Sequence, residues 1–167
     1  MPQLLPPTTA VHASFLAALE EYQAEGRYQD LDEALLRDAA AFAQYVAQLC
    51  AQALPDTPRP EGWVSATTLW WIDDEYVGRL SIRHSLTDGL RRVGGHIGYE
   101  VRPSARGCGH ATQMLAAALP IAAALGIDPA LVTCDAANIV SRRVIERNGG
   151  QLADEDDGEL HFWVPTT

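Results

Sequence analysis

The sequence lacks the features of membrane-spanning and disulfide-stabilised proteins. None of its apolar runs approaches the roughly 18 residues of a transmembrane helix. The first residues, Met-Pro-Gln-Leu-Leu-Pro-Pro, have no basic segment followed by an apolar one, so no secretory signal is expected. The three cysteines, Cys50, Cys108 and Cys134, form no C-x-x-C pair. We therefore expect a protein of the reducing cytoplasm, with no disulfide framework, no metal site and no membrane partner.

Basic residues are also scarce. The chain has 12 arginines and no lysine against 22 acidic residues, which gives a net charge of −10 and a pI near 4.8. Proteins that bind nucleic acids generally present a basic face, so a nucleic-acid partner is not expected. An acidic field favours cationic substrates such as amines, although solubility alone explains the charge at least as well.

The length and the order of the predicted elements indicate one domain with an α/β (α+β) fold. A chain of 167 residues that is 47% hydrophobic is long enough to bury a core as a single unit. Apolar spacing predicts helices over residues 12–26, 31–54, 111–125 and 138–148, and strands over 64–72, 76–83, 95–101 and 130–134. A polar connection over 87–92 and a C-terminal hairpin that pairs 151–154 with 160–164 complete the chain. The strands predict a mixed, mostly antiparallel sheet with a parallel strand–helix–strand crossover.

Residues 101 to 115 are the most informative segment. They combine a strand end, a turn rich in Pro, Ser and Gly, and the first turn of an apolar helix. Free N–H groups and the helix dipole make such a place suited to bind phosphate. A P-loop is disfavoured because no lysine follows the glycines, and a dinucleotide fingerprint is disfavoured because no third glycine follows Gly107 and Gly109.

The loop resembles the acyl-CoA-binding motif of the GNAT N-acetyltransferases. The family pattern Gln/Arg-x-x-Gly-x-Gly/Ala aligns with Ser104-Ala-Arg-Gly-Cys-Gly109, with serine at the first position. Asn138-Ile-Val-Ser141, followed by Val144-Ile-Glu-Arg-Asn-Gly149, resembles the second signature of that family. Together the two signatures cover residues 64–164, and this part is most similar to a poorly characterised bacterial branch.

The resemblance implies a GNAT fold over residues 1–167, with acetyl-CoA as the donor substrate. Residues 1–60 would form a helical region on the acceptor side, and residues 64–164 an acetyl-CoA-binding core. The backbone of Tyr99 and Val101 would pair with the pantetheine arm, where this strand splays from strand 130–134. Asn138 would meet the arm, and Ser141 would cap the helix or contact the arm. The pyrophosphate would lie on the N–H groups of Arg106, Gly107, Cys108, Gly109, His110 and Ala111, with Cys108 structural rather than nucleophilic.

Catalytic candidates come from the strand before the loop. Many relatives use a tyrosine as the acid on the last helix, but the aligned residue here is Ile145, so that role is absent or filled elsewhere. Alternation places His96, Gly98 and Glu100 on one face of the strand. Glu100 is the preferred base or amine-binding group, and the competing interpretation is a structural carboxylate paired with Arg102 or Arg83. His96 and His84 are second choices, and Asp135 is better explained as a loop acid.

The acceptor is less well defined than the donor. Trp63, Trp70, Trp71 and Trp163 could wall its pocket, although alternation puts Trp70 and Trp71 on opposite faces, so one of them belongs to the core. Tyrosines and acids of the N-terminal region would also contribute; they are Tyr22, Glu25, Tyr28, Asp30 and Asp32.

The resemblance implies direct transfer of an acetyl group to an amine of a small molecule or peptide. Two alternatives stay open, a non-catalytic acyl-CoA-binding or sensor domain and transfer of a longer acyl group. The terminal hairpin and any exposed edge strand could also support a homodimer.

Overall fold

Two antiparallel sheets lie between two groups of helices in the computed structural model, which describes residues 1–167. The first sheet has the order β1-β2-β3-β4, formed by Gln3–Leu5, Ala66–Asp73, Glu75–Arg83 and Ile97–Val101. The second has the order β5-β7-β6, in which β5 is Ala130–Asp135, β6 is Gln151–Asp156 and β7 is Glu159–Val164. The predicted α/β class and the C-terminal hairpin are confirmed. The predicted single mixed sheet is divided, because β4 and β5, the two strands joined by the crossover, belong to separate antiparallel sheets.

Six helices cover the sheets. They are α1 (His12–Ala24), α2 (Glu33–Leu36), α3 (Ala39–Ala51), α4 (Asp88–Arg92), α5 (His110–Ala124) and α6 (Ile139–Arg147). Single 3₁₀ turns occur at Thr9–Val11 and Pro103–Ala105. None of these helices combines the length and the apolar character that a bilayer span needs.

The predicted helix over 31–54 is wrong as one element, because two aspartates start separate helices. The side chain of Asp32 accepts the N–H of Leu35 at 3.1 Å and caps α2. That of Asp38 accepts the N–H of Ala41 at 2.9 Å and caps α3. Each cap satisfies an N–H group that a continuous helix would bond to its own backbone. The segment 87–92, predicted as a polar connection, likewise contains the short helix α4.

The first sheet separates two hydrophobic cores. Trp71, Leu80 and Ile97 face a core shared with α5, α6 and the second sheet. Trp70 and Tyr76 face the core under α1 to α3. The predicted opposition of Trp70 and Trp71 is therefore confirmed, and both indoles are buried, at 0% and 4% exposure.

The two sheets meet where β4 and β5 begin. The N–H of His96 donates to the carbonyl of Leu131 at 2.7 Å, and the N–H of Leu131 donates to Nδ1 of His96 at 2.9 Å. Gly95 makes this approach possible, because its φ is +60° and a Cβ there would lie 2.4 Å from the Leu131 oxygen. Beyond this point the strands belong to separate sheets, so a cleft opens between them.

Candidate functional site

The glycine loop presents a row of free N–H groups. Gly107 and Gly109 have φ of +80° and +81°, and α5 begins at His110 without a side-chain cap. The N–H groups of residues 107 to 112 have no hydrogen-bond acceptor in the protein. A Cβ at either glycine would meet nothing within 4 Å, so the space beside the loop is open. This arrangement is suited to bind an anion.

The row of free N–H groups, residues 107–112, lies one residue further along the chain than the predicted row, residues 106–111. The N–H of Arg106, expected to contact the pyrophosphate, donates to the carbonyl of Pro103 at 3.3 Å. At the other end Thr112, which the sequence motif does not include, adds a free N–H. His110 is fixed at the first helical position, because its Nδ1 accepts the indole N–H of Trp71 at 3.0 Å. Cys108 is exposed, with Sγ 3.8 Å from the Arg106 carbonyl oxygen.

Two carboxylates, Glu21 of α1 and Glu25 directly after it, hold the preceding turn. Glu21 pairs with Arg102 and accepts hydrogen bonds from the N–H and hydroxyl of Ser104, at 2.9 and 3.0 Å. Burial raises the pKa of Glu21, but the bonds from Arg102 and Ser104 outweigh it and lower that pKa to about 2. Glu25 binds both terminal nitrogens of Arg106, at 2.7 and 2.8 Å. Ser104, the departure from the family motif, therefore anchors the loop to α1.

The outer edge of β4 faces the cleft. Strand β3 bonds the backbone at both ends of β4, since the carbonyl of His96 accepts from Arg83 and the N–H of Arg102 donates to Val77. In an antiparallel ladder these bonds fall on every second residue. The backbone groups of Tyr99 and Val101 therefore point away from β3, toward the cleft. This is the orientation that the predicted pairing with a pantetheine arm needs.

Two hydroxyls meet across the cleft. Tyr99 OH lies 2.8 Å from Oγ of Ser141, on the first turn of α6. Asn138, expected to meet the arm, instead caps α6 by accepting the N–H of Ser141 at 3.1 Å. Burial raises the pKa of Tyr99 to about 12, against the opposing effect of its bond to Ser141, so its hydroxyl stays protonated. Ile145, which the family resemblance aligns with a catalytic tyrosine, is fully buried.

Glu100 lies on the opposite face of β4, among residues from the segment after α1. Tyr28 OH donates to its Oε1, and Nη1 of Arg27 lies 3.2 Å from its Oε2. The carboxylate side chain is only 13% exposed. Burial and this carboxylate raise the pKa of Tyr28, against the charge of Arg79, so the phenol remains a donor. Glu100 is thus a paired carboxylate, although with Arg27 rather than with Arg102 or Arg83.

The other candidate bases each form a hydrogen bond within the fold. Nδ1 of His96 accepts the N–H of Leu131, which leaves its Nε2 as the protonated nitrogen. Burial and the charge of Arg91 lower the pKa of His96. His84 Nε2 lies 2.8 Å from the hydroxyl of Thr67, and Asp135 accepts the N–H of Ala137. The structure therefore argues against His96 as a base, because neither ring nitrogen has a free lone pair.

A groove of about 530 Å³ lies between α3, residues 62–64 and the strands β2 and β3. Its floor includes Arg79, Ser81 and Arg83, which alternate along β3. Arg79 is the cross-strand partner of Glu100. Of the four tryptophans, Trp63 alone lines this groove, and it is 67% exposed. The predicted aromatic wall is therefore reduced to one indole and the ring of Tyr45.

Comparison with known proteins assigns the chain to a family. A family model described as an acetyltransferase (GNAT) domain matches residues 5–151. RimJ of Mycobacterium smegmatis, solved with CoA-disulfide, is 22% identical with a TM-score of 0.69, over 98% of this chain and 81% of that one. MccE, a microcin C7 self-immunity acetyltransferase solved with acetyl-CoA and AMP, is 14% identical with a TM-score of 0.62, over 98% and 92%.

A third similar structure is RimL, a ribosomal L7/L12 alpha-N-protein acetyltransferase in complex with coenzyme A. It is 18% identical with a TM-score of 0.60, over 97% of this chain and 92% of that one. No curated protein matches the chain significantly. At these identities the solved structures establish the fold, and the family model, which spans most of the chain, establishes the family. The protein belongs to the GNAT acetyltransferases, a family of acyltransferases.

Proposed function

We propose that the protein transfers the acetyl group of acetyl-CoA directly to an amine of a small molecule or peptide. The observation that supports this proposal most strongly is the row of free N–H groups at residues 107–112, next to the open edge of β4. The loop fits a pyrophosphate and the strand edge fits an amide-bearing arm. Solved neighbours that contain acetyl-CoA or coenzyme A support the same donor.

The donor would be held by backbone more than by side chains. Residues 107–112 would bind the pyrophosphate, and Tyr99 and Val101 would bond the pantetheine arm. Glu21 and Glu25 hold the turn before the loop in place through Arg102, Ser104 and Arg106, so the loop is shaped before the donor arrives. Preorganisation of this kind lowers the entropic cost of binding.

Transfer forms a C–N bond to the neutral amine and breaks the C–S bond of the thioester. The amine nitrogen gives up one proton and the leaving thiolate takes up one, so the products are the amide and CoA thiol. The thiolate needs a hydrogen-bond donor as it leaves. The Tyr99–Ser141 hydroxyl pair is our candidate, since it lies in the cleft and both groups remain protonated. It would take the place of the tyrosine that Ile145 replaces. The sequence predicted that the backbone of Tyr99 would pair with the arm and that Ser141 would cap α6 or contact the arm, but it gave no signal that the two hydroxyls would meet.

Glu100 is our candidate for the group that receives the amine. One of its oxygens accepts from Tyr28 and the other faces Arg27, but a carboxylate offers about four acceptor positions. The remaining positions can accept an N–H of the acceptor, directly or through a water. Its fixed partners suit a group that orients the amine before it loses a proton.

The test is acceptor-dependent release of CoA thiol from acetyl-CoA, with the acetylated product identified by mass spectrometry. Glu100→Gln and Tyr99→Phe are each expected to lower kcat about tenfold or more while acetyl-CoA affinity stays unchanged. Glu155→Gln, an exposed acid on β6, is the matched control and should retain wild-type kcat. Tight acetyl-CoA binding without thiol release for any amine would instead favour the non-catalytic sensor. Unchanged turnover in Glu100→Gln would remove Glu100 from the mechanism.

A further inference from the structure

The groove lined by Arg79 and Arg83 carries a charge opposite to that of the whole chain. The protein has a net charge of −10, yet the residues that line the groove include two arginines and no aspartate or glutamate. The remaining polar lining is neutral and includes Gln48, Thr68 and Ser81. A ligand inside the groove therefore meets local positive charge, whatever the net charge of the surface.

The guanidinium of Arg83 has N–H donors that form no hydrogen bond within the protein. Its Nη1 donates to the carbonyls of Gly94 and Gly95, at 2.9 and 3.2 Å. Its other nitrogens have no acceptor in the protein, and it forms no ion pair. Burial lowers the pKa of Arg83, the direction expected for a cation without a counter-charge. The two carbonyl bonds fix the direction of the guanidinium, so the remaining donors face a constant position.

Arg79 also forms no ion pair. The carboxylate opposite to it, that of Glu100, accepts from Tyr28 and faces Arg27. Burial lowers the pKa of Arg79, but the nearby tyrosines and the charge of Glu100 outweigh it and raise that pKa. The guanidinium carbon instead lies 5.8 Å from the centre of the Tyr28 ring. A partly buried cation is unfavourable unless an anion or hydrogen-bond acceptors compensate it. Both arginines of the groove thus lack the carboxylate partner that Arg27, Arg102 and Arg106 have.

The two cations lie next to the proposed reaction centre. Ser81, between them on β3, pairs with Gly98 of β4. A Cβ at Gly98 would lie 3.6 Å from two nitrogens of Arg83, so the guanidinium covers a strand position that has no side chain. Glu100 is on this same face, two residues further along β4. A molecule held by the arginines can therefore extend along this face toward Glu100, the cross-strand partner of Arg79.

We infer that the groove binds an acceptor that carries an oxyanion, a carboxylate or a phosphate, in addition to its amine. This inference rests on the proposed acetyl transfer and names the substrate class. Arg79 and Arg83 would bind the oxyanion, and the guanidinium fork suits either group. The groove is large enough for a short peptide or a small acidic metabolite. It adds an anionic group to the cationic amine that the acidic net charge favours.

The test uses matched peptide acceptors with a free N-terminus, amidated at the C-terminus, that differ only in one group. One pair compares glutamate with glutamine at the third position, and another compares phosphoserine with serine. We expect kcat/KM for the acidic member of at least one pair to be about tenfold or more above its neutral partner. The pair that shows the larger ratio identifies whether the oxyanion is a carboxylate or a phosphate. Equal rates within both pairs, or faster neutral peptides, would overturn the inference and leave acetyl transfer intact.

Variants then connect the preference to the groove. Arg79→Gln and Arg83→Gln should bring the acid-to-neutral ratio close to one, whereas Arg79→Lys and Arg83→Lys should keep most of it. Arg147→Gln, an exposed arginine on α6 outside the groove, is the control and should keep the full ratio. Because Arg83 also holds the 94–95 turn, Arg79→Gln decides the outcome if Arg83→Gln unfolds. A ratio that persists in Arg79→Gln and, where it folds, in Arg83→Gln would refute the assignment.

A binding measurement separates the two proposals. If no peptide is acetylated, the proposed transfer fails on these acceptors, and calorimetric titration of the acidic and neutral peptides into the acetyl-CoA-loaded protein decides the inference. Tighter binding of an acidic peptide that is lost in Arg79→Gln supports the oxyanion site. Equal affinities for both members of each pair contradict it.

Discussion

Replacement of Gly109 by alanine separates the role of the loop in folding from its role in donor binding. Gly109 has φ of +81° and open space around the position of a Cβ. An L-residue in this region costs roughly 1–2 kcal/mol. For a domain of this size that corresponds to a melting temperature lower by roughly 2–8 °C. Relaxation of this strain would also move the free N–H groups of residues 107–112. Since one hydrogen bond to a charged group contributes about 1.5–3 kcal/mol, acetyl-CoA should bind roughly tenfold to a hundredfold more weakly.

Gly126 provides the matched control at the other end of the same helix. Its φ is +82° and a Cβ there also meets nothing within 4 Å. Gly126→Ala should therefore lower the melting temperature about as much as Gly109→Ala, but leave the affinity for acetyl-CoA unchanged. Thermal unfolding and calorimetric titration of both variants give the two quantities. Equal acetyl-CoA affinities in the two variants would refute the assignment of the loop as the pyrophosphate site.

Three further predictions concern the frame around the site. Bonds to a backbone carbonyl and to Asp154 raise the pKa of His161 despite its burial. The stability that this raised pKa contributes is fully present below the unfolded pKa of about 6.5 and is lost as pH rises through the folded pKa. The urea midpoint of the wild-type protein should therefore fall as pH rises from about 6.5 through the folded pKa, and that of Asp154→Asn should fall less. An unchanged pH profile in that variant would argue against the pair. Gly95→Ala should cost more than about 2 kcal/mol, because its Cβ would clash with Leu131, and a wild-type urea midpoint would contradict the close approach. Asp38→Ala should cost about 1 kcal/mol by loss of a helix cap, and hydrogen exchange that is not faster at the start of α3 would contradict the cap.

The parts of the fold that follow from local pattern were predictable. The glycine loop, the strand before it and α6 are each specified by residues that are neighbours in sequence, such as Gly107 and Gly109 or the cap from Asn138. The alternation of Trp70 and Trp71 likewise follows from strand geometry alone. For the same reason the residues of the proposed donor side could be named from the sequence.

The acceptor side depends on contacts between distant segments, and these were missed. Glu100 is paired with Arg27, a residue from the loop after α1 that no local pattern connects to β4. The division between α2 and α3 depends on whether Asp38 caps a helix or lies on its surface, which an alanine-rich neighbourhood leaves undecided. The basic groove could have been predicted from the alternation of Arg79, Ser81 and Arg83 along β3, which places both arginines on one face. The net charge of −10 instead favoured an acidic surface throughout.

The most direct test of residues 107–112 as the pyrophosphate site is amide NMR of the wild-type protein during titration with acetyl-CoA. The backbone amide signals of residues 107–112 should show the largest shifts and saturate together, with those of Tyr99 and Val101 following the same curve. Gly126 should be unaffected. Saturation of acetyl-CoA binding without change in the amide signals of residues 107–112 would contradict the assignment.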